Sequence, residues 1–410
     1  MFFLYNLLIH LSTGLVKLLG LFNPKMALFV NGRKEVFDIL QQTVSTSDHT
    51  IWFHAASLGE YEQGLPVMEM VKAKFPNHKI VLTFFSPSGY EVRKNNSIAD
   101  VTVYLPLDTA ANAKQFLKLV HPELVFIIKY EYWPNYLKEL RKRKTKTYLI
   151  SGIFRENQVF FKWYGGFYRE ALKTFEHFFV QNEKSKKLLE SLDYHNVTVS
   201  GDTRFDRVAG ILERDNTLEF VSKFKTDSQL IVVGSSWPKD EEYLLEFINN
   251  APAFAKFIIA PHNIKEEQIL AFAERIKVPT ILYSKMGTAD LSKFKVLIVD
   301  TVGLLTKIYS YADIAYVGGG FGNPGIHNIL EPATFGIPIA IGPNFSHFAE
   351  AVEIIDLQAA ISITNAAELH QTLRKLLDDL ELRKTLGNKS SHYVQQNKGA
   401  TEAILKYLSK

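Results

Sequence analysis

Two stretches of this chain bring chemically able residues together at short spacing. In the first, residues 52–63, WFHAASLGEYEQ, an apolar run ends in Ser57, Leu58, Gly59 and Glu60. A carboxylate held by a loop at the mouth of a helix is placed to act as a general base. An acid in a first helical turn also simply answers the helix dipole, and position alone leaves both readings open. His54, inside the apolar run, reads as a core or supporting histidine. The second stretch is residues 317–343, VGGGFGNPGIHNILEPATFGIPIAIGP. Here a strand runs into Gly318, Gly319 and Gly320, and His327, Asn328 and Glu331 follow at the head of an expected helix. Glycines let backbone approach a ligand, and a helix N-terminus offers free N–H groups to a phosphate. Glu331 is then placed to take both hydroxyls of a ribose. The competing reading is a plain glycine-rich turn of an α/β fold.

Other apolar runs end in similar groups. Ser86 and Ser88 follow KIVLTFF, Lys129 and Glu131 close ELVFIIK, Ser235 and Ser236 end QLIVVGSS, and Pro261 and His262 end KFIIAP. A structural salt bridge competes with ligand binding for Lys129 and Glu131. The chain has no Walker A sequence, no nucleophile elbow and no His/Asp/Glu set at metal-ligand spacing, which argues against an ATPase, a serine hydrolase and a metalloenzyme.

These residues need elements to hold them, and the pattern supplies two series. TIWFHAA, KIVLTFF, VTVYLPL, ELVFIIK, TYLISG and HFFVQ alternate with helical stretches; so do QLIVVGSS, KFIIAP, KVLIVD, DIAYVGG, IPIAIGP and AAISIT. Strands separated by helices predict parallel sheets covered on both faces. The expectation is an α/β chain with two doubly wound, Rossmann-like domains at 25–210 and 211–410, joined through a charged linker between Gly201 and Asp227. Ligands of such sheets sit beyond the C-terminal strand ends, so a cleft between the domains is the expected site. A length of 410 residues and 47% hydrophobic residues suit two ordinary cores. A net charge of +4 gives no case for nucleic acid, and the absence of cysteine rules out disulfides, thiolate sites and a cysteine nucleophile.

Residues 1–22, MFFLYNLLIHLSTGLVKLLGLF, carry no positive leading region and no small-residue cleavage site, unlike a signal peptide. Asn6, His10, Thr13 and Lys17 stripe one face of a predicted helix and Phe and Leu cover the rest. A membrane-associated segment at 1–24 is expected, lying in the interface or spanning it. Lys17, Lys25, Arg33 and Lys34 beside it would keep the body on the cytoplasmic side. A buried helix of the first domain is the alternative.

Taken together, HAASLGEYEQ, SPSGYE, the aspartate of YLPLDT, EYWPN, GDTRFDRV, GSSWPKDEE and GIHNILEPATFGIPIAIGPNFSHFAEA resemble the Kdo transferases, which move 3-deoxy-D-manno-oct-2-ulosonic acid (Kdo) in lipopolysaccharide assembly. The motifs run in order from about residue 50 to about residue 350. The resemblance implies a GT-B glycosyltransferase taking Kdo from CMP-Kdo to a lipid A precursor, lipid IVA, with inversion. It implies no metal and no cofactor beyond the donor, and a monomer at the cytoplasmic face of the inner membrane. It makes Glu60 the base, and places Ser57, Gly59, Ser86, Ser88, Lys129 and Glu131 around acceptor and Kdo. Ser235, Ser236, Pro261, His262, Gly318, Gly319, Gly320, His327, Asn328 and Glu331 would hold the nucleotide. Lys129 stands where the family often has an acid, Asn263 where an arginine is common, and Ile326 replaces the second glycine of a pair. Two further readings stay open: a GT-B enzyme acting on a UDP-sugar, and a non-catalytic membrane-bound nucleotide sensor.

Overall fold

The computed structural model describes residues 2–323 and 325–409, so Pro324 of the glycine stretch lies outside the described residues. The chain divides into two units, Met1–Arg207 with Lys398–Lys410, and Val208–Asn397. The strands of the first are β1 (His49–Ala55), β2 (His78–Phe84), β3 (Val101–Tyr104), β4 (Leu124–Ile128), β5 (Lys146–Gly152), β6 (His177–Val180) and β7 (Val197–Val199). They form one parallel sheet in the order β3-β2-β1-β4-β5-β6-β7. The second unit has β8 (Gln229–Ser236), β9 (Ala255–Pro261), β10 (Thr280–Leu282), β11 (Val296–Ile298), β12 (Ile314–Val317), β13 (Ile339–Ile341) and β14 (Ala360–Ser362). Their order is β10-β11-β9-β8-β12-β13-β14, again parallel throughout. All twelve apolar runs read as strands are strands. The two that were missed, β7 and β10, are three-residue edge strands, too short to show a period.

Alternation along the strands fills two cores. Trp52, Val81, Val125 and Leu149 face one side of the first sheet; Phe53, Leu82, Phe126 and Ile150 face the other, and all are buried. Each such side chain contributes about 1.5–3 kcal/mol of burial, which holds the sheet against helices on both faces. Both sheets reverse their winding at one place, between β1 and β4 and between β8 and β12. The loops beyond those strand ends are the topological switch points where α/β sheets take their ligands.

Two boundaries differ from the expectation. The last helix, Ala400–Leu408, belongs to the first unit and not to 211–410. It buries Ile404 in that core and sets Tyr407 against His177, whose imidazole burial pushes down to about 4. The stretch from Gly201 is not a linker at its start, because Asp202 and Thr203 are buried. Gln63 Nε2 donates to Asp202 at 3.0 Å, and the Thr203 hydroxyl donates to the Gln63 carbonyl at 2.5 Å. Helices Thr203–Ala209 and Glu219–Lys225 occupy much of the rest.

The N-terminal helix, Phe2–Leu19, docks on the first unit by its polar side. Tyr5 donates to Asp108 at 2.7 Å, and Asn135 donates to Asn6 at 2.9 Å. None of its residues is buried, so it is not a core helix; Phe3 is 83% exposed and Leu11 62%. Asp108 and Asn135 are also the aspartate of YLPLDT and the asparagine of EYWPN. Asp108 accepts from the Asn135 and Tyr136 amides at 3.1 and 3.0 Å, capping the helix Pro134–Arg143.

Asp206 does the equivalent for the last helix, accepting from the Gly399 amide at 2.6 Å and from the Thr401 amide and hydroxyl at 2.8 Å. Asp206→Ala should cost about 1–2 kcal/mol, the range for a lost N-cap. Amide exchange in 400–408 should accelerate ahead of the strands. Exchange rates there that match the wild type would show that burial of Ile404 and Tyr407 alone holds the helix.

Candidate active site

In the first unit the switch point between β1 and β4 gathers the acidic candidates. Ser57 ends the loop after β1 as the N-cap of the helix Leu58–Lys74, and its hydroxyl donates to the Glu60 carboxylate and accepts no capping bond from the helix backbone. Glu60 is buried, only 6% exposed. After β4, the Tyr130 hydroxyl also hydrogen-bonds Glu60; burial first, then the charges of Glu60 and Glu131, raise its pKa above the ordinary phenol value. Lys129 takes a left-handed backbone (φ 70°) and sets its ammonium 5.2 Å from the centre of the Tyr130 ring. Glu131 lies 3.6 Å from His54 Nε2, which also accepts from the Trp133 indole at 3.2 Å; His54 Nδ1 meets Thr83 at 2.8 Å. With Nε2 accepting, Nδ1 carries the proton. His54 is fully buried and so a supporting group, as the sequence implies.

Ser86 caps the next helix, Pro87–Arg93, accepting from the Ser88 amide at 3.2 Å, with the two hydroxyls 2.8 Å apart. The Ser86 amide donates to Ala56 at 2.7 Å, which joins this loop to the one carrying Ser57. Gly59 is open, because a Cβ there would meet only Ser57 Oγ, at 3.8 Å. No packing demand explains it, and the surface it leaves open adjoins Glu60.

In the second unit the three glycines serve the loop's own fold, not an open cradle. A Cβ on Gly318 would stand 2.5 Å from the Ser235 carbonyl, and one on Gly320 2.7 Å from Gly342. The organiser is Asp240, fully buried, which accepts from the Gly319 amide at 2.8 Å, the Trp237 amide at 2.9 Å and the Tyr316 hydroxyl at 2.6 Å. Burial raises its pKa against those hydrogen bonds. The expected helix after the glycines is only five residues, Leu330–Thr334, and Asn328 Oδ1 already accepts from the Leu330 amide at 3.1 Å. That corrects the expectation of a free helix N-terminus for a phosphate. Glu331 accepts from Asn328 at 3.0 Å and from Thr306 at 2.9 Å, so both carboxylate oxygens are fixed yet keep lone pairs for hydroxyl donors.

Ser235 has a left-handed backbone (φ 53°), and the Ser236 hydroxyl turns to Glu241 at 2.8 Å. Pro261 pairs with Ser236 across β8 and β9. Just beyond, Trp237 stacks on His262 with ring centres 4.6 Å apart, and the His327 ring lies tilted against His262 at 4.3 Å. Trp237 closes the same strand-end loop as Ser235 and Ser236. Its indole N–H is buried without a partner in this structure, which makes it a donor next to the glycine loop. Burial, then the neighbouring His262, push His327 down to about 4.

One cluster brings possible ligands together in space. His49, His78 and Glu123 hold their ligand atoms within 4.8 Å of one another. They come from three strands or strand starts, so linear spacing does not reveal them. They stand at the N-terminal strand ends, away from Glu60.

Residues 31–207 match the family model described as 3-deoxy-D-manno-octulosonic-acid transferase (kdotransferase). A curated 3-deoxy-D-manno-octulosonic acid transferase of Chlamydophila psittaci is 27% identical over 361 residues, 85% of this chain and 82% of that protein. One of Haemophilus influenzae is 24% identical over 426 residues, 99% and 97% of the two chains. A solved UDP-GlcNAc 2-epimerase from Neisseria meningitidis shares the fold, with a TM-score of 0.63 at 14% identity, over 88% of this chain and 99% of its own. Fold and family domain together define a glycosyltransferase of GT-B architecture. Within that class, residues 31–207 carry the Kdo transferase family's domain, and most of the chain is similar to curated Kdo transferases.

The depressed His327 gives a stability signature with a definite sign. Unfolded, the imidazole takes a proton near pH 6.5; folded, it waits until about 4. Stability therefore falls as pH drops through that window. Relative to wild type, the melting temperature of His327→Gln should be higher at pH 5 than at pH 7.5. A difference that does not change with pH would mean His327 titrates normally.

Proposed function

We propose that the enzyme transfers Kdo from CMP-Kdo to a lipid A precursor, lipid IVA, by an inverting, metal-independent displacement. Glu60 takes the proton of the acceptor hydroxyl as that oxygen attacks the anomeric carbon of Kdo, and CMP leaves. The observation that carries this reading is the buried Glu60 carboxylate at the first switch point, positioned by Ser57 and Tyr130. A sugar hydroxyl is a weak nucleophile, and a positioned base contributes roughly 10²–10⁴-fold. Gly59 leaves the approach beside it open. Lys129, held on the Tyr130 face, answers the Kdo carboxylate, while Glu131, Ser86 and Ser88 border the acceptor.

The nucleotide belongs to the second unit. Glu331, fixed by Asn328 and Thr306, takes the ribose hydroxyls. His262 and His327 stay neutral at physiological pH and donate hydrogen bonds to the single phosphate; its charge in turn favours their protonation. A lipid acceptor calls for an enzyme at the membrane. The exposed Phe and Leu side of the helix Phe2–Leu19 supports attachment at the cytoplasmic face of the inner membrane, with Lys25 near its end to answer anionic headgroups.

Glu60→Gln should lower kcat by about 10²–10⁴-fold and leave CMP affinity unchanged. Equal activity in the variant would move the base elsewhere. Tighter binding of UDP than of CMP would favour a UDP-sugar enzyme, and a wild type that binds CMP without turnover would be a sensor.

A further inference from the structure

A cavity of about 470 Å³ lies away from Glu60's own contacts, under the N-terminal helix. Its size is that of a ligand site. The floor is apolar, with Val16, Phe29, Val30, Phe37 and Leu107, while Lys17 and Lys34 stand among the residues around it; no Asp or Glu lines it. Arg33, also in the lining, is already committed. It donates to the Phe29, Phe85 and Leu105 carbonyls at 2.6–2.9 Å and lies 3.6 Å from the centre of the Phe29 ring. Burial lowers its pKa to about 10, so it acts as a structural tie. Lys17 and Lys34 are exposed and have no side-chain bond or ion pair among the described residues. An apolar pocket with two unanswered cations beside it is complementary to an alkyl chain bearing an anion, not to a sugar or a peptide.

Its place narrows the occupant. Arg33 ties the pocket to Phe85, immediately before Ser86, and Leu107 follows β3. Pocket and Ser86–Ser88 loop thus share the C-terminal edge of the sheet that carries Glu60. The docking of the N-terminal helix by Tyr5 and Asn6 closes one side, which explains why a stripe of His10, Thr13 and Lys17 interrupts an otherwise apolar helix.

We propose that this cavity binds one acyl chain of the phosphorylated glycolipid acceptor, with Lys17 and Lys34 against its phosphate. The proposal rests on the acceptor reading above and adds how the lipid is measured: the enzyme grips it through its tail as well as its sugar.

The test uses the full-length enzyme in detergent, with a tetraacylated phosphorylated disaccharide and its fully deacylated counterpart as acceptors. Val30→Trp fills the pocket. It should raise KM for the acylated acceptor about tenfold, the effect of returning about two methylenes to water, and leave KM for the deacylated one unchanged. Lys17→Ala with Lys34→Ala should raise KM for both, since both carry phosphate. An unchanged KM for the acylated acceptor in Val30→Trp, or an equal rise for both, overturns the proposal. So does an effect that follows added phosphatidylglycerol and not acceptor acylation, because the occupant is then bulk lipid. If the wild type moves Kdo to neither acceptor, the reading of the reaction has failed instead. Retention of the acylated lipid in native mass spectrometry then decides the pocket: wild type holding it and Val30→Trp losing it supports the proposal, and equal retention contradicts it.

Discussion

A parallel sheet covered by helices on both faces offers no surface on which to display a polar side chain. Every interior strand is paired on both sides, and its side chains face one core or the other, as Trp52 and Phe53 do on β1. Reactive groups are therefore confined to the strand ends, and the C-terminal ends part most widely where the winding reverses. In this chain that happens once per sheet. Glu60, Lys129 and Glu131 stand at the first reversal, and Ser235, Ser236 and the three glycines at the second.

At both places a buried carboxylate and a few short hydrogen bonds fix the loop. Asp240 gathers two amides and a hydroxyl, and so ties the glycine turn to the loop that follows β8. Such a group costs free energy to bury unless its partners are all made, which is why its loss would affect the whole loop. Glu60 is different in kind. Its partners, Ser57 and Tyr130, are hydroxyls, which position a carboxylate without neutralising it. That leaves the charge available for chemistry.

Much of this was legible in the sequence. Twelve strands announced themselves by apolar runs, and the strand-end position of Glu60 and Glu331 followed from them. The family resemblance, not the residues themselves, supplied Kdo and CMP. What could not be read was anything set by contacts between distant segments. The three consecutive glycines suggested a ligand cradle, but Gly318 and Gly320 are required by Ser235 and Gly342, which lie elsewhere in the chain. The last helix resembled any amphipathic C-terminal segment, and contacts such as Asp206 on its N-terminus, Ile404 in the core and Tyr407 on His177 assign it to the first unit. His49, His78 and Glu123 meet because β1, β2 and β4 are neighbours in space. Likewise the polar stripe of the N-terminal helix reads as an interface feature until its partners Asp108 and Asn135 are seen.

The central claim is the identity of the reaction, and one measurement addresses it most directly. The purified enzyme is incubated with CMP-Kdo and a tetraacylated lipid A precursor, and the lipid is weighed by mass spectrometry. The account predicts product heavier by one or more whole Kdo residues, with CMP released in equal number. An unchanged lipid mass under conditions where the enzyme binds CMP, or a mass gain from a UDP-sugar but not from CMP-Kdo, would contradict it.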